Sequence, residues 1–166
     1  MLKHVLVAAG MLAMVTPSAV AQNASQIAPA KSGKTCEKCN LFQADMSFSQ
    51  ITGVSFAGAR LRQSNMTLAI LDDVNFSGAN LSIANMYGAR FTGASFKKAD
   101  LTDAILVGGS FEGTNFEGAT LKNANISGAE MSRARGLTQG QLNSACGDEH
   151  TKLPSCLLYT SPSPRD

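Results

Sequence analysis

Two cysteines three residues apart, Cys36 and Cys39, are the strongest chemical signal in this chain of 166 residues. A C-x-x-C pair can cycle between dithiol and disulfide, supply half of a zinc site, anchor haem or staple a fold. Haem attachment needs histidine directly after the second cysteine, and position 40 is Asn40. A thioredoxin-like centre needs a flanking βαβ pattern, which is missing here. Zinc needs further ligands, for which Cys146 and His150 are the candidates. Two carboxylate pairs, Asp72 with Asp73 and Asp100 with Asp103, have the residue types for acid and base work. Asn65-Met66-Thr67 and Asn80-Leu81-Ser82 match the N-x-[ST] acceptor string.

The pattern that must position these groups has a period of five. Every fifth residue from Leu41 to Met131 is large and apolar, without a gap. Two residues earlier stands a small one, mostly alanine as at Ala44, Ala59 and Ala79, otherwise Cys39, Ser49, Val54, Ser64, Val74, Gly109 or Thr114. The unit is A-[DN]-[LMF]-x-x, and five matches neither the period of a helix nor that of a strand. If each unit makes one side of a square coil, four units close it and successive coils pair as parallel strands at about 4.8 Å. A second period, of twenty, is then required. It is present: Leu41, Leu61, Leu81, Leu101 and Leu121 share one side, preceded by Phe56, Phe76, Phe96 and Phe116 on another. Met46, Met66, Met86, Leu106 and Ile126 form the third, and Ile51, Leu71, Phe91, Phe111 and Met131 the fourth. Like stacks on like, with centre and small residue both inward, and glycines two after the centre, such as Gly53 and Gly58, suit corners of positive φ.

On these residues the chain resembles the pentapeptide-repeat family from about 36 to 131. The resemblance implies an all-β fold, a right-handed quadrilateral parallel β-helix, and says little about activity. A short C-terminal capping helix is expected where the register breaks at Arg135-Gly136-Leu137: Thr138 to Gln141 reads as a capping box, the helix runs through Ala145, and Gly147 ends it. The stretch from Gly136 to Asp148 is similar to the tail of other exported members, which implies that Cys146 pairs with a cysteine beyond this sequence. Cys36 and Cys39 fall on a centre and a small position, so a disulfide staple on the first coil is the structural reading. The disulfide candidates are thus Cys36, Cys39 and Cys146. Nearly five coils, roughly 20 Å, separate Cys36 and Cys39 from Cys146 and His150, far beyond the reach of zinc bonds of about 2.3 Å.

The organisation reads as a signal peptide over 1–21, with Lys3, an apolar run from Val5 to Val15 and the small-x-small site Ala19-Val20-Ala21. A flexible linker over 22–35, the solenoid over 36–134 and a C-terminal cap over 135–155 follow. Residues 156–166 resemble translated sequencing adapter and are expected to be an artefact, with the natural C-terminus lost. Localisation in the periplasm or outside the cell is the expectation, with no membrane anchor after cleavage.

No residue is assigned a catalytic, cofactor-binding or metal-ligating role: the carboxylates sit on outward positions of a convex rod, where no pocket is expected. The outward positions differ by side. The Phe side shows small, polar or charged groups, whereas the Met side turns Phe48, Leu68, Tyr87, Ile105 and Val107 outward, with Ile70 and Ile83 near its corners. A contiguous exposed apolar area marks a partner site; the plainer reading is scattered residues covered by loops or the N-terminal segment. The leading expectation is an exported scaffold that binds a protein or itself. One alternative is a DNA mimic acting on topoisomerases, as some relatives of this family are. Against it stand the export signal and, from Cys36 to Met131, seven basic and nine acidic residues, so nucleic-acid-like charge is missing and no nucleic-acid partner is expected. The other is an exported redox or metal protein using Cys36 and Cys39.

Overall fold

The structure, a computed structural model, describes residues 24–157. The signal sequence expected over 1–21 and the end of the expected artefact, 158–166, lie outside the described residues.

Coils of twenty residues stack through single-residue parallel bridges, Asn40 to Arg60, Asp45 to Asn65, Gln50 to Ile70 and Ser55 to Asn75, and so on up to Asn115 with Arg135. Four bridge columns with a turn between neighbours make four sides, which we call the Leu, Met, mixed and Phe sides after their inward residues. The strands expected from the sequence contract to these isolated bridges, because a turn occupies the rest of each five-residue unit.

One unit shows why the motif has its composition. In 64–68 the Ser64 N–H closes the turn onto Leu61 C=O at 3.1 Å, and the Asn65 N–H donates down to Ala44 C=O at 2.9 Å. Met66 and Leu68 N–H donate up to Asn85 and Tyr87 C=O at 2.7 and 2.9 Å. The remaining donor, Thr67 N–H, goes to Oδ1 of Asn65 at 3.1 Å. All five N–H groups are therefore paired, as backbone in a packed structure requires. Where Asp or Asn precedes the centre, it is an Asx acceptor for the one donor that no neighbouring coil takes; Asn75, Asn80, Asn85, Asp100, Asn115 and Asn125 do the same.

The interior is a set of columns. Phe56, Phe76, Phe96 and Phe116 stack with centroids 5.7, 5.1 and 5.4 Å apart, as the period of twenty requires. Phe91 and Phe111 form a second stack at 5.4 Å and meet the first edge-on, Phe91 to Phe96 at 5.2 Å. Beside these rings only small groups fit: a Cβ on Gly109 would lie 2.8 Å from Cε2 of Phe111. Two inward hydroxyls test the same space. Thr114 donates to Phe91 C=O at 2.6 Å, whereas Ser64 Oγ is buried without a partner.

Both ends are closed. At the front, the 22–35 segment expected to be a flexible linker carries helix α1, Ala24–Lys31, despite Pro29. Its end is fixed by Gly33 at φ 79, with Lys34 N–H on Pro29 C=O and Gly33 N–H on Ala30 C=O, the paired bonds of a Schellman stop. Ala30 is buried, Ile27 packs on the core, and Gln26 Oε1 accepts from the otherwise unpaired Asn40 N–H at 2.7 Å. At the back, Thr138 and Gln141 form the expected capping box of helix α2, Gln139–Asn143, which stops at Ser144, before Ala145. The chain then imitates a sixth coil, bridging Asn125 with Cys146 and Glu130 with Lys152. Side chains supply what this irregular strip lacks: Gln141 Nε2 donates to Phe116 and Ala119 C=O, and Asp148 Oδ1 accepts the Gly128 N–H at 2.9 Å. Leu157, within the stretch expected to be artefact, packs against the core, and Cys156 is exposed.

Replacing Ser64 with Ala should raise stability by about 1 kcal/mol, since it removes a desolvated hydroxyl that gains nothing; Thr114→Ala should lower it by a similar amount. Denaturant midpoints decide, and a destabilised Ser64→Ala variant would contradict the packing described. Acid tests the rear cap. The Gly128 N–H, ahead of Thr151 and His150, holds the Asp148 carboxyl below the ordinary 3.8. Its contribution is therefore complete above that value and is lost as pH falls through the lowered folded value. Amide exchange at Gly128 should accelerate in that acid window, and Asp148→Ala should show fast exchange at neutral pH.

Candidate functional site

The groups that could do chemistry are not brought together. Cys36 and Cys39 form a disulfide with Cα atoms 5.5 Å apart, and Cys36 lies at the foot of the Phe column, next to α1. Cys146 and Cys156 are exposed free thiols. Among the described residues no group of three or more His, Cys, Asp or Glu is placed to hold a metal ion. Asp72, one of the carboxylates expected on outward positions, is engaged there: Arg90 grips both its oxygens, and it accepts the Thr92 N–H at 3.1 Å. That bond replaces the Asx acceptor that Arg90 cannot provide. Asp100 serves Thr102, Asp103 accepts from Asn123 Nδ2 at 3.1 Å, and His150 stands exposed 3.8 Å from Asp148. A shallow concavity of about 300 Å³ lies between Glu112, Glu130, Ser132 and Arg133, but Glu112 is paired with Arg133 and Glu130 with Lys152.

The Met side is different in kind. Phe48 is 71% exposed, Tyr87 52%, Leu68 49%, Ile83 42% and Ile105 40%, and these are the exposed large hydrophobics of the described chain. Val107, expected to be exposed, is half-buried, as is Ile70. Helix α1 packs on the front of the core and leaves Phe48 uncovered.

Three of these residues also carry a conformational cost. The residue two after each centre turns the corner with positive φ, from Lys38 at 55 to Gly128 at 62. Most corners use Gly, Asn, Asp, Gln or Lys. Phe48, Leu68 and Ile83 adopt φ of 57, 54 and 59, and a β-branched side chain there is a rare outlier. Ile105 adds a fourth departure, since it gives up the Asx acceptor that Asn85 and Asn125 provide one coil below and above. The register made the outward direction of these residues legible; the corner strain was hidden until the backbone was seen.

The chain matches the family described as pentapeptide repeats (8 copies) over residues 35–67, 69–108 and 106–135. It belongs to the pentapeptide-repeat family. No curated protein sequence matches this repeat protein. Among solved structures it is similar to HetL, a pentapeptide repeat protein involved in heterocyst differentiation regulation in the cyanobacterium Nostoc sp. strain PCC 7120. Identity is 32% over 60% of this chain and 48% of HetL, with a TM-score of 0.58; the repeat protein thus spans about half of that relative. A pentapeptide repeat protein of the Arabidopsis thaliana thylakoid lumen is 22% identical over 82% of this chain and 72% of its own, TM-score 0.38. QnrB1, a plasmid-mediated fluoroquinolone resistance protein, is 22% identical over 67% of this chain and 66% of its own, TM-score 0.29.

Ile83→Gly should stabilise this repeat protein by about 1 kcal/mol: the left-handed penalty of about 1–2 kcal/mol disappears and glycine's entropy returns about half of it. A thermal melt reads the change, and a lower Tm would show that Ile83 repays its conformation within the fold.

Proposed function

We propose that this pentapeptide-repeat protein is an exported, non-catalytic scaffold of the cell envelope, periplasmic or secreted, whose Met side binds a protein. Its coil is taken as the right-handed square β-helix of the family. The observation that carries the binding role is the pairing of exposure with strain: Phe48, Leu68 and Ile83 are exposed apolar residues held at positive φ. Neither property helps the rod fold, and local costs left uncompensated within a fold point to function. The other outward sides hold mainly polar groups and ion pairs such as Lys97 with Glu117 at 3.0 Å.

Export rests on the leader-like residues 1–21, and the Cys36–Cys39 disulfide supports an oxidising compartment. The disulfide sits where a centre and a small residue would otherwise close the first coil, which favours a staple over redox turnover. Mixed surface charge and the export signal weigh against DNA mimicry.

The double variant Leu68→Ser, Val107→Ser should lose association while keeping the melting curve and circular dichroism of the parent. Light scattering and pull-down from an envelope extract read the loss. Association equal to that of the parent would remove the binding role from this side.

A further inference from the structure

The Met side is stepped as well as apolar. On the corner where the Met side meets the mixed side, Phe48 and Leu68 project in the first two coils, and Leu68 lies over Gly88, where an added Cβ would come within 2.7 Å of Cδ2. Farther along the same corner stand Gly108 and Gly128, beside which an added Cβ would meet nothing within 4 Å. The side therefore has a ridge over its first half and a shelf over its second. Among its outward positions in the described residues only Asp45 is charged, and along the corner it shares with the Leu side, where Ile83 stands, only Asp103.

We infer that the occupant of this face is a second copy of the chain, laid antiparallel across a two-fold axis at the third coil. This rests on the reading that the Met side binds protein. An axis in the plane of the face and perpendicular to the rod keeps each corner opposite its own counterpart and reverses coil order. The Phe48–Leu68 ridge of each copy then enters the Gly128–Gly108 shelf of the other, and Tyr87 and Ile83 of the third coil meet their own equivalents. Isologous contact sets every group on the axis against itself, so it demands a centre without charge, which these two residues satisfy. A parallel two-fold, its axis along the rod, would instead set the ridge against the opposite corner of the face, at Gln43 and Gln63, and the shelf against Asp103 and Asn123.

The size of the face sets the strength. Five coils at about 4.8 Å give a length of about 24 Å, and five residues can extend over no more than about 17 Å. The face thus offers at most about 400 Å² per partner, half of the roughly 800 Å² of a standard stable interface. The pairing is a weak, reversible dimer.

Sedimentation equilibrium on the full chain, up to millimolar protein and in a Cys146→Ser, Cys156→Ser background that excludes disulfide dimers, tests it. The parent should be a reversible dimer. Leu68→Ser, which removes the ridge, and Gly108→Asn, which fills the shelf with a residue tolerant of positive φ, should each weaken dimerisation at least tenfold with melting curves unchanged. Arg62→Ser on the Leu side should have no effect. Phe48→Ser replaces Leu68→Ser should that variant fail to fold. A monomeric parent, or Gly108→Asn dimerising as the parent does, overturns the pairing. Either result leaves binding to a different protein intact, to be judged by the envelope pull-down.

Discussion

The rod depends on one hydrogen-bond ledger: in a unit such as 64–68, five donors are satisfied by two bonds up, one bond down, one turn and one side-chain acceptor. Nothing in that arrangement depends on long strands or helices. It depends on the chain returning to the same point after twenty residues, because a slip of a single residue would misplace all the bonds between coils and turn the inward residues out. The interior enforces the return: ring lies on ring at 5.1 to 5.7 Å along the Phe column, and alanines leave no room for another arrangement.

A solenoid with a complete interior ledger has its open donors and acceptors at the ends, and the caps are built around them. Gln26 at the front and Gln141, Asp148 and Thr151 at the back supply side-chain atoms where a further coil would have supplied backbone. The Cys36–Cys39 disulfide occupies the first inward position and its small neighbour, where no coil below exists to pack against. The Cys36–Cys39 pair, the strongest chemical signal of the sequence, thus lies at the closed front of the rod. On the outer surface the departures from local preference, Phe48, Leu68, Ile83 and Ile105, gather on the Met side and its corners.

Much of this was legible in the sequence because a period of five with a superperiod of twenty admits few geometries. The columns, the direction of Phe48, Leu68, Tyr87 and Ile105, and the Thr138–Gln141 capping box all follow from spacing alone. Helix α1 was not legible: with Pro29 and a polar composition its propensity is poor, and it is held by contacts of Ile27 and Ala30 with a core far along the chain. Nor were the role of Asn and Asp before each centre, the Arg90–Asp72 clasp between coils, and the unpaired hydroxyl of Ser64, since each depends on distances across coils rather than on neighbours in sequence.

The register itself can be read on protein enriched in nitrogen-15 and carbon-13, by nuclear magnetic resonance detection of scalar couplings transmitted through hydrogen bonds. The account predicts that the Asn85 N–H couples to the Ser64 carbonyl and the Met86 N–H to the Ile105 carbonyl, the bonds of 2.9 and 2.8 Å that join the second, third and fourth coils. Couplings from those amides to carbonyls in any other register would contradict it.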